Sequence, residues 1–340
     1  MDDLFNKLLL LRTPKIGPVK FFELIKKFNG IESAVDALNP SDELCDSVKR
    51  EMDRANELNI HYICDDDDLY PANLRTIKNR PPVISARGNI ETLTKRIVSM
   101  VGTRHATAAG MGFVADMANG FVDNGFAVAS GMAIGTDTAA HMGALRSDGN
   151  ANTIAVLAGG VDYVWPLENE KLYYEILERG AVISEMPVGY IPKTTNFIQR
   201  NHWVAGICES LILGEADMKS GSMATARFAL SYGRDVYAIP SHPSDARGAG
   251  PNSLIASGDA KICCGLSDFF DTATQENNKG KNISENESEN AILDALGMIP
   301  VSESVLAQIV KKSVSEIKQI LIVLELRGLV RKDNGGYVRM

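Results

Sequence analysis

Between about Lys95 and Phe270, short apolar runs rich in β-branched residues alternate with helical stretches, and this alternation constrains the fold more than any other feature. The runs are Ile97–Val101, Ala127–Ser130, Thr153–Leu157, Val182–Ser184, Ser210–Leu213, Val236–Ile239 and Lys261–Cys264. Helical spacing separates them at Gly112–Asn124, Glu168–Glu178 and Met223–Tyr232. Strands spaced this way run parallel and are joined by right-handed crossovers, so the region is expected to form a Rossmann-like, doubly wound α/β fold with a mostly parallel sheet. Ligands of such sheets sit at the carboxyl ends of strands, near a reversal of strand order. The residues just after each strand are therefore the first candidates for function.

At 340 residues the chain suits two or three domains. Residues 1–75 read as a small helical domain: Leu8–Leu11 and then Phe21, Phe22, Leu24, Ile25 and Phe28 recur at helical spacing around Pro14-Lys15-Ile16-Gly17-Pro18. That turn resembles the hairpin of helix-hairpin-helix modules, although a plain helix–helix turn explains it as well. The acidic run Asp65–Asp68 reads as a solvated loop. Residues 76–272 form the Rossmann-like domain, and 273–290, almost free of apolar side chains, a solvated linker. In 291–340, three amphipathic helices (Ala291–Leu296, Val305–Val310, Ile317–Leu326) precede a hairpin signal at Asp333-Asn334-Gly335. Three helices and a hairpin predict a winged helix-turn-helix.

The longest apolar runs are strand-sized, well short of the roughly 20 residues of a membrane span. The acidic start, Met1-Asp2-Asp3, does not read as a signal peptide. Five cysteines without a C-x-x-C pair argue against a zinc ribbon or a disulfide framework, and Cys263 and Cys264 read as buried thiols. The expected location is cytoplasmic. A net charge of −8 counts against a protein that simply coats nucleic acid, so any basic groove must be local.

Four segments that follow strands are rich in small and polar residues. They are Val101–His105, with Gly102 and Arg104; Ser130–Asp137, with Gly131; Ala158–Asp162, leading to Trp165-Pro166; and Glu215–Ala226, with Lys219, Ser220, Gly221 and Ser222. Glycine lets a ligand approach the backbone, and a helix start offers unpaired N–H groups to an anion. Ser220–Ser222, opening the helix of Arg227, is accordingly a candidate phosphate seat. Neither a dinucleotide G-x-G-x-x-G nor a P-loop occurs, which removes NAD and P-loop nucleotide readings.

The motifs Val-Gly-Thr-Arg (101–104), Gly-Thr-Asp-Thr-Ala-Ala-His-Met-Gly-Ala-Leu (135–145), Phe-Ile-Gln-Arg-Asn (197–201), Ser-Gly-Ser-Met-Ala-Thr-Ala (220–226) and Gly-Pro-Asn-Ser-Leu-Ile-Ala-Ser-Gly (250–258) resemble successive signatures of the DprA/Smf family. The resemblance covers essentially the whole chain. It implies a recombination mediator of DNA uptake and natural transformation that binds single-stranded DNA, forms a homodimer through the Rossmann-like domain and helps load the RecA recombinase. It implies no reaction, so no catalytic residue, metal or cofactor is expected. Two positions depart from the family pattern Phe-Pro-x-Arg-Asn-Arg: Ile198 replaces the proline, and His202 replaces the second arginine, removing a permanent charge.

Within this reading Arg104 binds phosphate beside the space cleared by Gly102, and Phe197 offers a stacking surface or fills the core. Arg200 and Asn201, taken to open a helix whose Trp203, Val204 and Ile207 face inward, bind DNA or tie loops together. Lys193 and Lys219 contribute to a basic groove, and His202 sits near phosphates. Asp137 and His141, at i and i+4, read as a helix cap and a packed histidine. Two other classes stay open: a nucleotide phosphoribohydrolase-like enzyme, whose Pro-Gly-Gly-x-Gly-Thr pattern is not completed after Gly159-Gly160, and a protein-interaction hub acting through the winged helix.

Overall fold

The structure, a computed structural model, describes residues 3–148, 152–270, 287–296, 300–333 and 335–339. It comprises two units that divide after Phe270. The first begins with helices α1 (Asp3–Arg12), α2 (Pro18–Phe28), α3 (Ile31–Leu38) and α4 (Asp42–Glu57), packed around Leu8, Leu9, Phe21, Val35 and Val48. Ile16, in the hairpin-like turn, is buried in this same core.

The chain then enters the sheet earlier than the alternation suggests, through β1 (His61–Cys64), the short helix α5 (Ala72–Arg75) and β2 (Val83–Gly88). β1 pairs antiparallel with β2, and β2 antiparallel with a later strand. The expectation of helix throughout 1–75 is therefore corrected at His61–Cys64. Four residues are too few to show a strand's period, and these strands lack the flanking crossovers that mark the others. The run Asp65–Asp68 is also more than a solvated loop. Asp65 pairs with Arg80 at 2.6 Å, Asp66 with Lys7 at 2.9 Å, and the Asp67 carboxylate accepts from Cys64 N.

From Arg96 the alternation unfolds as read: β3 (Arg96–Val101), α6 (Ala108–Asp123), β4 (Phe126–Ser130), α7 (Thr136–Ala144), β5 (Thr153–Val156), α8 (Glu170–Arg179), β6 (Ala181–Ser184), α9 (Thr194–Ile207), β7 (Ser210–Leu213), α10 (Gly221–Ser231), β8 (Asp235–Ala238), α11 (Ala249–Ser257), β9 (Lys261–Ile262) and α12 (Leu266–Phe270). The sheet runs β1-β2-β6-β5-β4-β3-β7-β8-β9, parallel from β6 to β9. Its central strands are buried on both faces, as their unbroken apolar character requires. α9 starts at Thr194, almost two turns before Arg200, so Arg200 and Asn201 lie inside the helix rather than opening it. Cys263 is buried, but Cys264 is exposed.

The second unit packs α13 (Glu287–Ala295), α14 (Glu303–Val310) and α15 (Val314–Leu326) around Ile292, Leu306, Ile317, Leu321 and Leu324. β10 (Val330–Asp333) and β11 (Gly336–Arg339) form the wing, with Val301 bridging to Tyr337. Ser313 caps α15, and the Glu316 carboxylate reaches back to Ser313 N, a reciprocal pair that fixes the start of the helix. This is the expected winged helix. Of the expected linker, residues 273–286 lie outside the described residues, and 287–290 belong to α13.

Candidate nucleic-acid interface

From β3 the chain builds outward through β4, β5 and β6, then returns to the other side of β3 to lay down β7, β8 and β9. The loops leaving β3 and β7 therefore part in opposite directions, and a cleft opens at their carboxyl ends. Its volume is about 280 Å³, and it brings together Gly102, Thr103 and Arg104 after β3, Asp137 of α7, Arg200 and Asn201 of α9, and Ser220, Gly221 and Ser222 at the start of α10. The two diverging loops are tied by Thr103 N donating to Glu215 O at 2.6 Å.

Each wall has a local cause. Gly102 is required because a β-carbon there would collide with the Thr136 side chain. Ser220 caps α10 by accepting from Met223 N at 3.3 Å. The N–H groups of Gly221 and Ser222, in the first turn, have no acceptor within the helix and carry its positive dipole end. Asn201 Nδ2 donates to Gly221 O at 3.5 Å, joining α9 to this turn.

The two arginines of the cleft differ sharply. Arg200 is only 6% exposed. Its Nη1 donates to Gly131 O and, at 2.8 Å, to Val156 O, so it ties the ends of β4 and β5 to α9. Gly131 serves this packing rather than lining the cleft: a β-carbon there would lie 2.5 Å from the Arg200 guanidinium carbon. Asp137 accepts from Gly131 N and Ala133 N at 3.1 and 3.3 Å. Burial, the dominant influence, raises the Asp137 carboxyl above its ordinary pKa, and the nearby Arg200 charge opposes that rise. Arg104, in contrast, is exposed and makes no ion pair among the described residues; its guanidinium carbon lies 5.4 Å from the centre of the Trp165 ring.

Of the acids near the cleft, Asp137 and Glu215 are engaged elsewhere, and Asp217, in the loop before Ser220, is exposed. Glu215 accepts from Thr107 N at 2.7 Å and from Thr107 Oγ1, which also starts α6. His141 is fully buried, with Nδ1 2.7 Å from Thr153 Oγ1, and burial pushes its pKa down to about 3. Thr153 Oγ1 donates to Val128 O, so the histidine Nδ1 is the donor to Thr153. Asp137 and His141 are thus a loop anchor and a neutral packed histidine.

The remaining expected residues fall around the cleft rather than on it. Phe197, in the first turn of α9, is half-buried against Trp165, with ring centres 4.5 Å apart. Lys193 and Lys219 are exposed in the loops that precede α9 and α10. His202 stacks on Phe228 of α10 at 3.6 Å, and its Nδ1 is 2.7 Å from Tyr232 Oη. Trp165 carries no role in the sequence reading. Its signal was present, an aromatic residue in a loop that follows a strand, but its nearness to Arg104 and Phe197 depends on the third dimension.

The comparisons with known proteins agree with this architecture. Residues 61–274 match the family described as DNA recombination-mediator protein A, residues 280–336 a DprA winged helix domain, and residues 1–42 a DprA-like N-terminal HHH domain. The DNA processing protein DprA of Streptococcus pneumoniae is 37% identical over 199 residues, covering 58% of this chain and 70% of that protein. Its crystal structure aligns with a TM-score of 0.68 at 28% identity, over 79% of this chain and 97% of that one. Protein Smf of Synechocystis is 32% identical over 254 residues; the match takes in 74% of this chain and 57% of the longer Synechocystis protein. The DNA processing protein A of Helicobacter pylori, whose structure addresses its mode of single-stranded DNA binding, aligns with a TM-score of 0.57 at 26% identity, over 62% of this chain and 94% of that one. With a family match over more than half its length and an architecture that agrees domain by domain, the chain belongs to the DprA/Smf family of DNA recombination-mediator proteins.

Proposed function

We propose that the protein is a recombination mediator of DNA uptake and transformation that binds single-stranded DNA in the cleft between β3 and β7. The observation that carries this reading is the exposed Arg104, which makes no ion pair among the described residues, beside the first-turn N–H groups of Gly221 and Ser222 in a cleft whose acids Asp137 and Glu215 are engaged elsewhere. A cation and a helix start converging on open space suit phosphate groups. Half-buried aromatics next to them suit unstacked bases, which a duplex does not present. Arg104, Asn201 and Ser220–Ser222 line the phosphate path, Phe197 faces a base, and Lys193 and Lys219 add charge at its edges.

The role is binding rather than catalysis. Asp137 and His141, the pair with the look of acid–base chemistry, are committed to loop anchoring and packing. Partners beyond DNA follow the family: a second copy of the chain through the Rossmann-like domain, and RecA. Five free cysteines fit a reducing, cytoplasmic setting. Among the described residues no helix is long and apolar enough to cross a membrane.

Fluorescence anisotropy with labelled oligo(dT) and with duplex of equal length, at two salt concentrations, tests the reading. Tighter binding to the single strand, weakening with salt, is expected. Equal affinity for the two, or none for either, removes it. Sedimentation equilibrium tests the homodimer, and capture of RecA by the DNA-loaded protein tests that partnership.

A further inference from the structure

We propose that Trp165 is a nucleobase platform and that Arg104 covers it until DNA arrives. The inference rests on the single-strand reading above and assigns a role to a residue outside the expected site. Trp165 lies in the loop after β5, half-buried, between an exposed arginine and Phe197 of α9. The guanidinium carbon of Arg104 sits 5.4 Å from the ring centre, within the distance at which a cation is held by an aromatic face. The same arginine lines the phosphate cleft. One side chain thus joins the ring to the anion seat.

A base stacked on an indole takes up much the same space as a guanidinium over its face. Both are flat or compact groups, held a few ångströms from the ring. Among the described residues Arg104 has no competing ion pair to hold it elsewhere, and its long side chain is exposed. An incoming nucleotide brings both parts needed for an exchange. Its base takes the Trp165 face, and its phosphate takes the displaced guanidinium, beside Gly221 and Ser222. A weak exposed cation–π pair gives way to a stacked base and a charge-assisted hydrogen bond, so the exchange favours the DNA-bound arrangement.

Apolar groups surround the ring. Trp165 and Phe197 border a recess of about 10 Å³, too small for a base, lined also by Gly131, Gly159, Pro192 and Arg200, so a base stacks on the outer face of the ring rather than entering the recess. Leu167, Ile191 and Ile198 add exposed apolar side chains in the neighbouring loop and helix segments. Ile198, one of the two departures from the family pattern, is among them.

The chain has two tryptophans, and Trp203 is buried and shielded from direct contact with DNA, so a change in emission on binding is assigned to Trp165 by its loss in the Trp165→Phe variant. Oligo(dT) should quench the emission of the full-length protein, and the Trp165→Phe variant should lose that quenching while keeping most of its affinity. An oligonucleotide of equal length and charge with abasic sites should bind by anisotropy without quenching. Trp165→Ala should weaken oligo(dT) binding about 5- to 150-fold, the range for one stacked base, with the salt slope unchanged. Arg104→Ala should shift the emission of the DNA-free protein to longer wavelength by exposing the ring. Binding by anisotropy without any change in Trp165 emission would overturn the platform while leaving the single-strand reading intact. An unshifted Arg104→Ala spectrum would overturn the covering role. No binding by anisotropy would overturn both proposals together.

Discussion

The cleft between β3 and β7 and the recognition helix α15 of the winged helix both occupy places where nucleic acid is read in other proteins, yet they treat charge in opposite ways. In the cleft Arg104 makes no ion pair among the described residues, and the carboxylates of Asp137 and Glu215 are bonded to backbone or hydroxyl groups. In the winged helix four cations are paired, Lys318 with Glu303 at 3.3 Å, Arg327 with Glu289 at 2.9 Å, and Arg331 and Arg339 with Asp333 and Asp294 at 3.7 and 3.8 Å, while Lys311, Lys312 and Lys332 make no ion pair among the described residues. The outer face of α15 is mixed, with Ile322 54% and Leu326 83% exposed beside Glu316, Lys318, Gln319 and Glu325, and so offers fewer polar readers than a recognition helix normally presents. A fold that commonly reads DNA is not by itself a DNA site. The free cation is the better guide, because phosphate affinity comes from charge that has not already been neutralised.

The comparison breaks most visibly at Arg200, a cleft arginine that is not free. Arg200→Leu leaves Asp137 buried without its neighbouring positive charge and the carbonyls of Gly131 and Val156 without their donor. Leaving buried acceptors without their donor costs about 1–3 kcal/mol for each. Urea denaturation should show a loss of this size. A loss below about 1 kcal/mol would mean that Arg200 is held for DNA rather than for the fold.

Arg104→Ala makes the opposite demand. Stability should hold, because the side chain is exposed and makes no ion pair among the described residues. Affinity for oligo(dT) should fall by about 1.5–3 kcal/mol, the range for a hydrogen bond to a charged group. The slope of log K against log salt should drop by about 0.7, one phosphate contact on a single strand. An unchanged slope with an intact fold takes Arg104 off the phosphate path.

The winged helix is tested by its removal. A chain ending after residue 272 should keep its single-strand affinity within about 1 kcal/mol, several-fold in dissociation constant. A hundredfold loss would show that this partly paired, mixed face is still a principal DNA-binding element, and the contrast between the two regions would fail.

How much of this was legible in the sequence depends on the range over which each signal acts. The parallel strands from β3 onward were readable because strand and crossover helix alternate locally, and the glycines and serines after them marked the cleft. β1 and β2 were not, because they stand outside the regular alternation of strand and crossover helix and gain their identity from the strands they pair with. Arg104 and Arg200 were both singled out, but their difference is one of burial: α9 begins almost two turns earlier than its motif suggests and carries Arg200 inside. Trp165 was visible as a residue and silent as a contact. Its neighbours Arg104 and Phe197 come from loops and helices far apart in sequence.

The smallest effect is expected at His202, which occupies a position where the family pattern has arginine. A histidine beside phosphates would gain affinity on protonation as pH falls from about 7.5 to 6, around its usual value near 6.5. Here the ring is stacked on Phe228 and its Nδ1 is bonded to Tyr232, on the packed seam between α9 and α10. Burial lowers its pKa below 6.5, so its protonation is displaced to lower pH than that of a free imidazole. The folded value lies below the unfolded one, so its contribution to stability is present above about 6.5 and is lost as pH falls through the folded value. Oligo(dT) affinity of the wild type and of His202→Gln, measured at pH 7.5 and 6.0 at constant ionic strength, should therefore change in parallel, within about twofold or roughly 0.4 kcal/mol. A tenfold gain at pH 6.0 in the wild type alone would place a protonated His202 at a phosphate and extend the free charge of the cleft along α9.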